Sequence, residues 1–178
     1  MKKILGLTAS LTIIAGVCAA VLAYIDSLTR APIAEIKVKK ERAAAIAVMP
    51  EGTVDVRPSG VEGVFAGLDA SGKTLGYAVV GSDPGGYGGD IVLMVGFAAD
   101  RKTVVTYRAL QSNETPGLGT RLSSPGFSGQ FAGKDASKKL SVTKDGGDIE
   151  AITSATITSR AVCAAVGDAA SKLSGLAE

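Results

Sequence analysis

The strongest constraint on this chain is an uncharged run of 22 residues, from Ile4 to Ile25, with Lys2 and Lys3 before it and Asp26 after it. A helix rises about 1.5 Å per residue, so this run just crosses a hydrocarbon core about 30 Å thick. The alternative is a cleavable signal peptide, with Val21-Leu22-Ala23 as a possible cleavage site. The run is longer than the apolar part of an ordinary signal peptide, so we expect a membrane anchor over residues 1–28.

The composition removes several classes of function. The chain has no histidine, which excludes Ser-His-Asp catalysis and histidine-ligated zinc, and its two cysteines, Cys18 and Cys163, lie far apart. A net charge of +2 and an aromatic content of 4% give no reason to expect nucleic-acid binding. We expect no catalytic residue and no metal site, so any redox chemistry must come from a bound cofactor.

The rest of the chain predicts an α+β fold with a mostly antiparallel sheet and flanking helices. Residues 29–50 are predicted to form a helical connector. Its helix entry is Thr29-Arg30-Ala31-Pro32, with Pro32 in the first turn, and the helix then runs from Ile33 to Met49 and stops at Pro50. Residues 51–178 form the main domain. Its predicted strands are Thr53–Val56, Val61–Ala66, Leu75–Gly81, Ile91–Phe97 and Thr103–Leu110, and its predicted helices are Phe127–Gly133 and Ser159–Ser174.

One segment, Gly67 to Thr74, matches the phosphate-loop pattern GxxxxGK[ST]. Such a loop needs a helix after it, so that the helix N-terminus faces the phosphates. Here β-forming residues follow, and Asp69-Ala70-Ser71-Gly72 is ordinary hairpin-turn chemistry. We therefore predict a turn at this segment and no nucleotide site.

A cluster of hydroxyl residues, Thr153 to Ser159, comes directly before the apolar helix that follows. One interpretation is helix capping, in which Thr158 or Ser159 accepts a bond from the first free N–H groups. The other is an anion site, in which those N–H groups and the threonine hydroxyls hold a phosphate. The residues alone leave both interpretations open.

The same cluster resembles the flavinylation motif of the FMN-binding domains in the G subunit of Rnf electron transport complexes and in the C subunit of the sodium-pumping NADH:quinone oxidoreductase. The family motif is Asp-x-x-Ser/Thr-Gly-Ala-Thr, and its last threonine carries FMN through a phosphoester bond. The resemblance places the motif on Glu150, Thr153, Ser154, Ala155 and Thr156. Glu150 stands where the family has Asp and Ser154 where it has Gly, a difference that matters if the backbone there needs a positive φ.

A second block, Glu114-Thr115-Pro116-Gly117-Leu118-Gly119, is similar to the family's ETPGLG loop, which lies beside the bound flavin. The resemblance thus implies a cofactor site made of Glu114, Thr115, Gly117 and Leu118 together with the motif. A looser match covers Gly85 to Asp90, where the residues alone favour a flexible glycine turn with Tyr87 packed nearby.

The resemblance also implies a function. The chain would be the electron-relay subunit of a membrane-bound, ion-translocating ferredoxin:NAD oxidoreductase, with FMN attached to Thr156 by a separate flavinyltransferase. Its partners would be the other subunits of that complex. It would cross the cytoplasmic membrane once and hold its FMN domain on the periplasmic side, since long domains translocate largely regardless of charge. The alternatives are a component of the related quinone-reducing pump, a stand-alone extracytoplasmic flavoprotein, and a non-redox anchored binding domain.

Overall fold

The computed structural model describes residues 2–176 and begins with one long helix, α1 (Lys2–Val48). The chain divides into two compact units, residues 1–39 and 40–178, and the division falls inside α1. The predicted helix entry at Thr29–Pro32 is wrong, because these residues lie inside α1. A proline removes only one helical hydrogen bond, and the surrounding alanine, glutamate and lysine residues are strong helix formers. The predicted domain limits at residues 28 and 50 stay predictions.

The first unit is a helix whose described apolar side chains are exposed, among them Leu11, Ile14, Val21 and Leu22. By length and composition, α1 contains one helical stretch, Gly6–Val48, that could cross a membrane. A helix with exposed apolar side chains over this length has the dimensions of a membrane span. The predicted anchor therefore agrees with the helix that the structure forms.

The second unit is built on a five-stranded sheet, which confirms the predicted α+β fold. The strands follow one another across the sheet in chain order, and every neighbouring pair is antiparallel. Each predicted strand exists, although several bounds differ by a few residues. The strands are β1 (Asp55–Pro58), β2 (Val64–Leu68), β3 (Thr74–Gly86), β4 (Gly89–Ala98) and β5 (Val104–Gln111).

Each face of the sheet is covered by a helix. The end of α1 lies on one face, where Val48 packs with Ala78 and Met94, and its carbonyl oxygen occupies space that a Cβ on Gly96 would need. The other face carries α3 (Thr156–Ser174), whose Ala165 carbonyl oxygen approaches Gly81 in the same way. These approaches are possible only because glycines stand at the contacts.

The main core lies between the sheet and α3 and includes an aromatic cluster. Tyr107 of β5 packs edge-on against Phe131 at a centroid distance of 5.3 Å, and Phe127 packs against Phe131 at 5.6 Å. The two phenylalanines come from α2 (Pro125–Ser128) and the 3-10 turn that follows it, where the sequence predicts one helix over Phe127–Gly133. The cluster fixes the segment that connects β5 to the start of α3.

The segment that matches a phosphate-loop pattern is the β2–β3 hairpin turn, as predicted. Asp69 Oδ1 accepts hydrogen bonds from the backbone N–H groups of Ser71 and Lys73, and Gly72 has a φ of +84°. The residues after it enter β3 and not a helix. This segment therefore has none of the geometry that a phosphate-binding loop requires.

Candidate cofactor site

The start of α3 is the centre of the candidate site. The helix begins at Thr156, three residues earlier than predicted, and its N-cap residue Ala155 has no side-chain oxygen with which to cap it. The first N–H groups of a helix have no partner within the helix, so they face outward with the positive end of its dipole. Among residues 2–176, no side chain caps these groups.

The capping interpretation of Thr158 and Ser159 is wrong, because both residues lie inside the first turn of α3. The Ser159 hydroxyl accepts a bond from the Ile152 N–H at 2.9 Å and donates to the Ala155 carbonyl at 2.9 Å. The Ser159 hydroxyl therefore links the motif segment before α3 to the first turn of that helix. A residue that already belongs to the helical turn cannot serve as the residue before it.

The buried polar side chains also lie around the start of α3. In the described part of the chain they are Glu114, which belongs to the ETPGLG loop, and Thr158 and Ser159, which end the hydroxyl cluster. The Thr158 hydroxyl donates to Glu114 Oε2 at 2.7 Å, and the Gly88 N–H donates to Glu114 Oε1 at 3.1 Å. Glu114 therefore joins the loop after β5, the β3–β4 turn and α3.

Two close approaches fix the Glu114 side chain. A Cβ on Gly119 would collide with Glu114 Oε2, and one on Gly86 would stand 2.8 Å from Oε1. Because both neighbours are glycines, the carboxyl group fits between the two backbone segments. The loop itself turns at Gly117, which has a φ of +77° and donates its N–H to the Thr120 hydroxyl at 3.0 Å.

Between these three segments lies a cavity of about 490 Å³. This volume is in the range of about 300–1,000 Å³ that small-molecule and cofactor pockets occupy. The predicted residues that line it are Glu114, Thr115, Leu118, Ser154, Ala155 and Thr156. Gly117 shapes the loop without lining the cavity, and Thr153 is exposed beside it.

The structure adds residues that the sequence did not assign to the site. Tyr87, Gly119, Ile157 and Thr158 line the cavity too, and Tyr87, Leu118 and Ile157 are exposed apolar side chains, with Tyr87 71% exposed. The expectation that Tyr87 packs against the protein is therefore wrong. The glycines around Tyr87 are a signal of a special turn, but only the fold brings that turn to α3.

Ser154 has a φ of +64°, one of two positive values among the described non-glycine residues. A side chain in this left-handed conformation costs about 1–2 kcal/mol. The position where the family motif has glycine therefore does need a positive φ. Glu150, the other departure, acts through its backbone: its N–H donates to Gln130 Oε1 at 2.6 Å, and its carbonyl accepts from Gln130 Nε2 at 3.2 Å.

A half-buried hydroxyl at a helix start with an apolar rim suits a ligand that has a phosphate at one end and a flat apolar ring at the other. FMN has this shape, so the residues present fit it. The model of the FMN-binding domain family matches residues 86–171, the stretch that contains both motifs. Fold and site thus define the class: this is an FMN-binding domain protein, as the resemblance predicted.

Whole-chain relatives specify the family. The G subunit of the ion-translocating oxidoreductase complex of Methanosarcina acetivorans is 31% identical over 177 aligned positions, which cover 94% of this chain and 93% of the relative. The G subunit of the Na(+)-translocating ferredoxin:NAD(+) oxidoreductase complex of Acetobacterium woodii is 32% identical, with 93% and 89% covered. The chain belongs to the family of G subunits of ion-translocating oxidoreductase complexes.

Solved structures agree on the fold. The C subunit of the Na(+)-translocating NADH-quinone reductase of Parabacteroides distasonis superimposes with a TM-score of 0.52 at 26% identity, over 65% of this chain and 63% of that one. NqrC of Shewanella oneidensis gives a TM-score of 0.51 at 22% identity, over 75% and 73%. The fold expected from the resemblance is therefore shared with solved proteins.

Proposed function

We propose that this protein carries FMN as a phosphoester on Thr156 and relays electrons within a membrane-bound, ion-translocating ferredoxin:NAD oxidoreductase. As a member of the G-subunit family, it is an electron-transfer component of an ion-translocating oxidoreductase and works with the other subunits of that complex. The observation that carries the proposal is the position of Thr156, which is half-buried at the start of α3 and lines the cavity.

Two parts of the site match two parts of the cofactor. The outward-facing N–H groups at the start of α3 would hold the phosphate oxygens. Tyr87, Leu118 and Ile157 would contact the isoalloxazine ring, because exposed apolar side chains around a cavity are most stable when a flat apolar ligand covers them. When bound, FMN accepts and donates electrons singly or in pairs, which the chain's own residues cannot do.

Among the described residues, no base lies within hydrogen-bonding distance of the Thr156 hydroxyl. In the part that the structure describes, the side chain within hydrogen-bonding distance of Thr156 Oγ1 is that of Lys144, an ammonium donor and not a base. A threonine hydroxyl is a poor nucleophile unless a base activates it. We therefore propose that a separate flavinyltransferase supplies the base and transfers the FMN half of FAD to Thr156.

The proposed location of the protein rests on α1. We propose that this helix crosses the cytoplasmic membrane once and that the FMN domain lies on the periplasmic side. Labelling from outside the cell tests the side. A cysteine placed at exposed Ser71, in the β2–β3 turn, in a Cys18→Ala, Cys163→Ala background should react with a membrane-impermeant thiol reagent in intact spheroplasts, and protection from it would place the domain inside.

The experiment that tests the attachment is the intact mass of the protein purified from membranes of a host that contains the transferase. The expected result is an added mass of FMN minus one water, which peptide mapping assigns to Thr156. Thr156→Val should remove this mass, while Thr29→Val, the same change at an exposed position in α1 that does not line the cavity, should keep it. A colourless wild-type chain of unmodified mass would refute the proposal.

A second candidate is the FMN-carrying component of the related quinone-reducing pump, which the likeness to the Parabacteroides distasonis structure favours. The two functions differ in partners and not in cofactor. Purification of the intact complex in mild detergent separates them: co-purified iron–sulfur subunits and ferredoxin-dependent NAD reduction support the first, and NADH-dependent quinone reduction supports the second.

A further inference from the structure

The 3-10 turn Thr143–Asp145 is joined to the N-terminal part of α3 by a two-pronged ion pair. Nε and Nη2 of Arg160 each donate a hydrogen bond to the Asp145 carboxylate, both at 2.7 Å. Paired bonds between a guanidinium and a carboxylate fix orientation as well as distance. The pair therefore holds the 3-10 turn in one position against the helix.

The base of the same turn is also fixed. The Thr143 N–H donates to the Ile149 carbonyl at 2.8 Å, and the Ile149 N–H donates back to the Ser141 carbonyl at 3.2 Å. Gly146 follows with a φ of +81°, and a Cβ on Gly147 would collide with the Ser141 carbonyl oxygen. The turn thus has little freedom at either end.

Lys144 lies in the middle of this turn, next to Asp145. Its Nζ is 3.5 Å from Thr156 Oγ1, at the long limit of a hydrogen bond. Thr156 precedes Arg160 by four positions, so the two lie on the same side of α3. Because the turn is attached to Arg160, the lysine beside Asp145 is held near Thr156.

Among the hydrogen bonds of the described residues, the Lys144 ammonium group makes only the one to Thr156 Oγ1. Lys144 is exposed and belongs to none of the ion pairs among residues 2–176, whereas Lys134 pairs with Asp148 and Lys172 with Asp168. A neutral hydroxyl gains little electrostatic stabilisation from a nearby ammonium group. A phosphate ester on that hydroxyl carries a negative charge, and an ammonium group at this distance would neutralise it.

We propose that Lys144 stabilises the phosphate on Thr156, both during its transfer and in the finished ester, and that Asp145 and Arg160 are the positioning residues that hold Lys144 in place. This inference rests on the proposed attachment of FMN to Thr156. In the transfer, a bond forms between Thr156 Oγ1 and the phosphorus of the FMN half of FAD, and the phosphorus–oxygen bond to AMP breaks. The hydroxyl proton goes to a base of the transferase, and AMP leaves with the bonding electrons.

The charges needed for this arrangement persist at neutral pH. The hydrogen bond from Arg160 holds the pKa of Asp145 below its usual value of 3.8, and the nearby charges of Arg160, Lys139 and Lys144 act in the same direction. The ion pair therefore stays intact through neutral and mildly acidic conditions.

The test measures how fast the transferase modifies the purified full-length protein in detergent, with FAD and magnesium present and intact mass as the readout. Lys144→Met should lower the maximal rate about tenfold, because it removes one charge that stabilises the transferred phosphate. The KM for FAD should not change, since FAD binds to the transferase. Lys144→Arg should restore most of the rate, and Lys134→Met is the matched control that should transfer at the wild-type rate.

The positioning pair has its own test. Asp145→Asn and Arg160→Met should each slow the transfer by less than Lys144→Met does, and neither should slow it further when Lys144 is already methionine. A purely structural role for the pair predicts additive losses instead. High salt should shrink the difference between wild type and Lys144→Met, because ions screen exposed charges.

The outcomes separate this inference from the proposed function. If the wild-type chain is not modified at Thr156, the proposed function fails. If the wild type is modified and Lys144→Met reacts at the same maximal rate, the inference about Lys144 fails alone. It also fails if Lys144→Met changes only the KM for the acceptor protein, since Lys144 would then be a contact for the transferase. Thermal melts of each variant verify that it is folded.

Discussion

The Thr158 hydroxyl donates a 2.7 Å hydrogen bond to the Glu114 carboxyl group, which lies 44 positions earlier in the chain, and both side chains are buried. With the bond from the Gly88 N–H to the other carboxyl oxygen, it connects the three segments that surround the cavity. Each segment on its own is a loop, a turn or a helix end, so the shape of the site depends on this small buried network.

The first prediction concerns the stability of this network. Thr158→Val has nearly the same shape but no donor, so it leaves Glu114 Oε2 buried without its partner. It should lower the free energy of unfolding by about 2 kcal/mol. Thr158→Ser keeps the donor and should cost less than about 1 kcal/mol. Urea unfolding followed by circular dichroism measures both, and equal losses in the two variants would contradict the prediction.

The second prediction concerns Ser154, whose φ is +64°. Ser154→Gly removes the cost of holding a side chain in the left-handed conformation, about 1–2 kcal/mol. It also makes the unfolded chain more flexible, which lowers stability by about 0.5–1 kcal/mol. The net result should be a gain of about 0.5–1 kcal/mol in the free energy of unfolding. Ser154→Ala keeps the strain and is the control. A loss of stability in the glycine variant would show that the serine side chain stabilises the fold by more than its strained backbone costs.

The third prediction concerns Tyr87, which lines the cavity together with Thr156. A tyrosine in contact with a flavin ring quenches its fluorescence by transferring an electron, and phenylalanine does not. In the flavin-loaded protein, Tyr87→Phe should therefore raise the flavin fluorescence and lengthen its lifetime. Tyr77→Phe is the control, because Tyr77 lies beneath Arg101, outside the cavity. Unchanged fluorescence in Tyr87→Phe would mean that the ring lies elsewhere.

The fourth prediction is a loss of stability in alkali. Burial raises the pKa of the Cys163 thiol from 9.0 to about 11, with a further contribution from the charge of Asp145. Burial also raises the pKa of Tyr107, whose hydroxyl donates to the Leu122 carbonyl. The unfolded chain loses these protons at lower pH than the folded chain does. Stability should therefore be unaffected below about pH 8 and fall as the pH rises from about 9 to about 11, by about 2 kcal/mol from Cys163 alone.

Cys163→Ala should remove that share of the alkaline loss, and Cys18→Ala, at an exposed position in α1, should not. Unfolding free energies measured from neutral pH to about pH 11 give the effect in each variant. A wild-type curve that stays level over this whole range would contradict the prediction.

Much of the fold could be predicted because its signals are local. The apolar run before Asp26, the hairpin turn at Asp69 and the β-forming residues around Val95 each depend on neighbours in sequence. The continuity of α1 through Pro32 could not be predicted this way, because proline usually marks a helix start or end. The early start of α3 could not be predicted for a similar reason. Ala155 is a poor capping residue, so by sequence the hydroxyl residues after it are better candidates for the N-cap position.

The site was only partly predictable. Thr156 and Glu114 stand out through the family motifs, and both line the cavity. Tyr87 lies only in the looser match and Lys144 in none, and each comes from a turn that reaches α3 only in three dimensions. The glycine that the motif has at the position of Ser154 suggests a positive φ, and the backbone confirms it.

The strand order has a consequence for how the protein matures. In a sheet whose strands pair in chain order, each hairpin can form as soon as its second strand has been synthesised. Thr156, the proposed acceptor, however, stands on α3, which packs against β3 some 80 positions earlier. Partly synthesised chains can thus contain most of the sheet and still have no cofactor cavity. Attachment of FMN would then mark a chain whose fold is complete. If the protein joins its complex only after FMN is attached, only folded chains would be assembled.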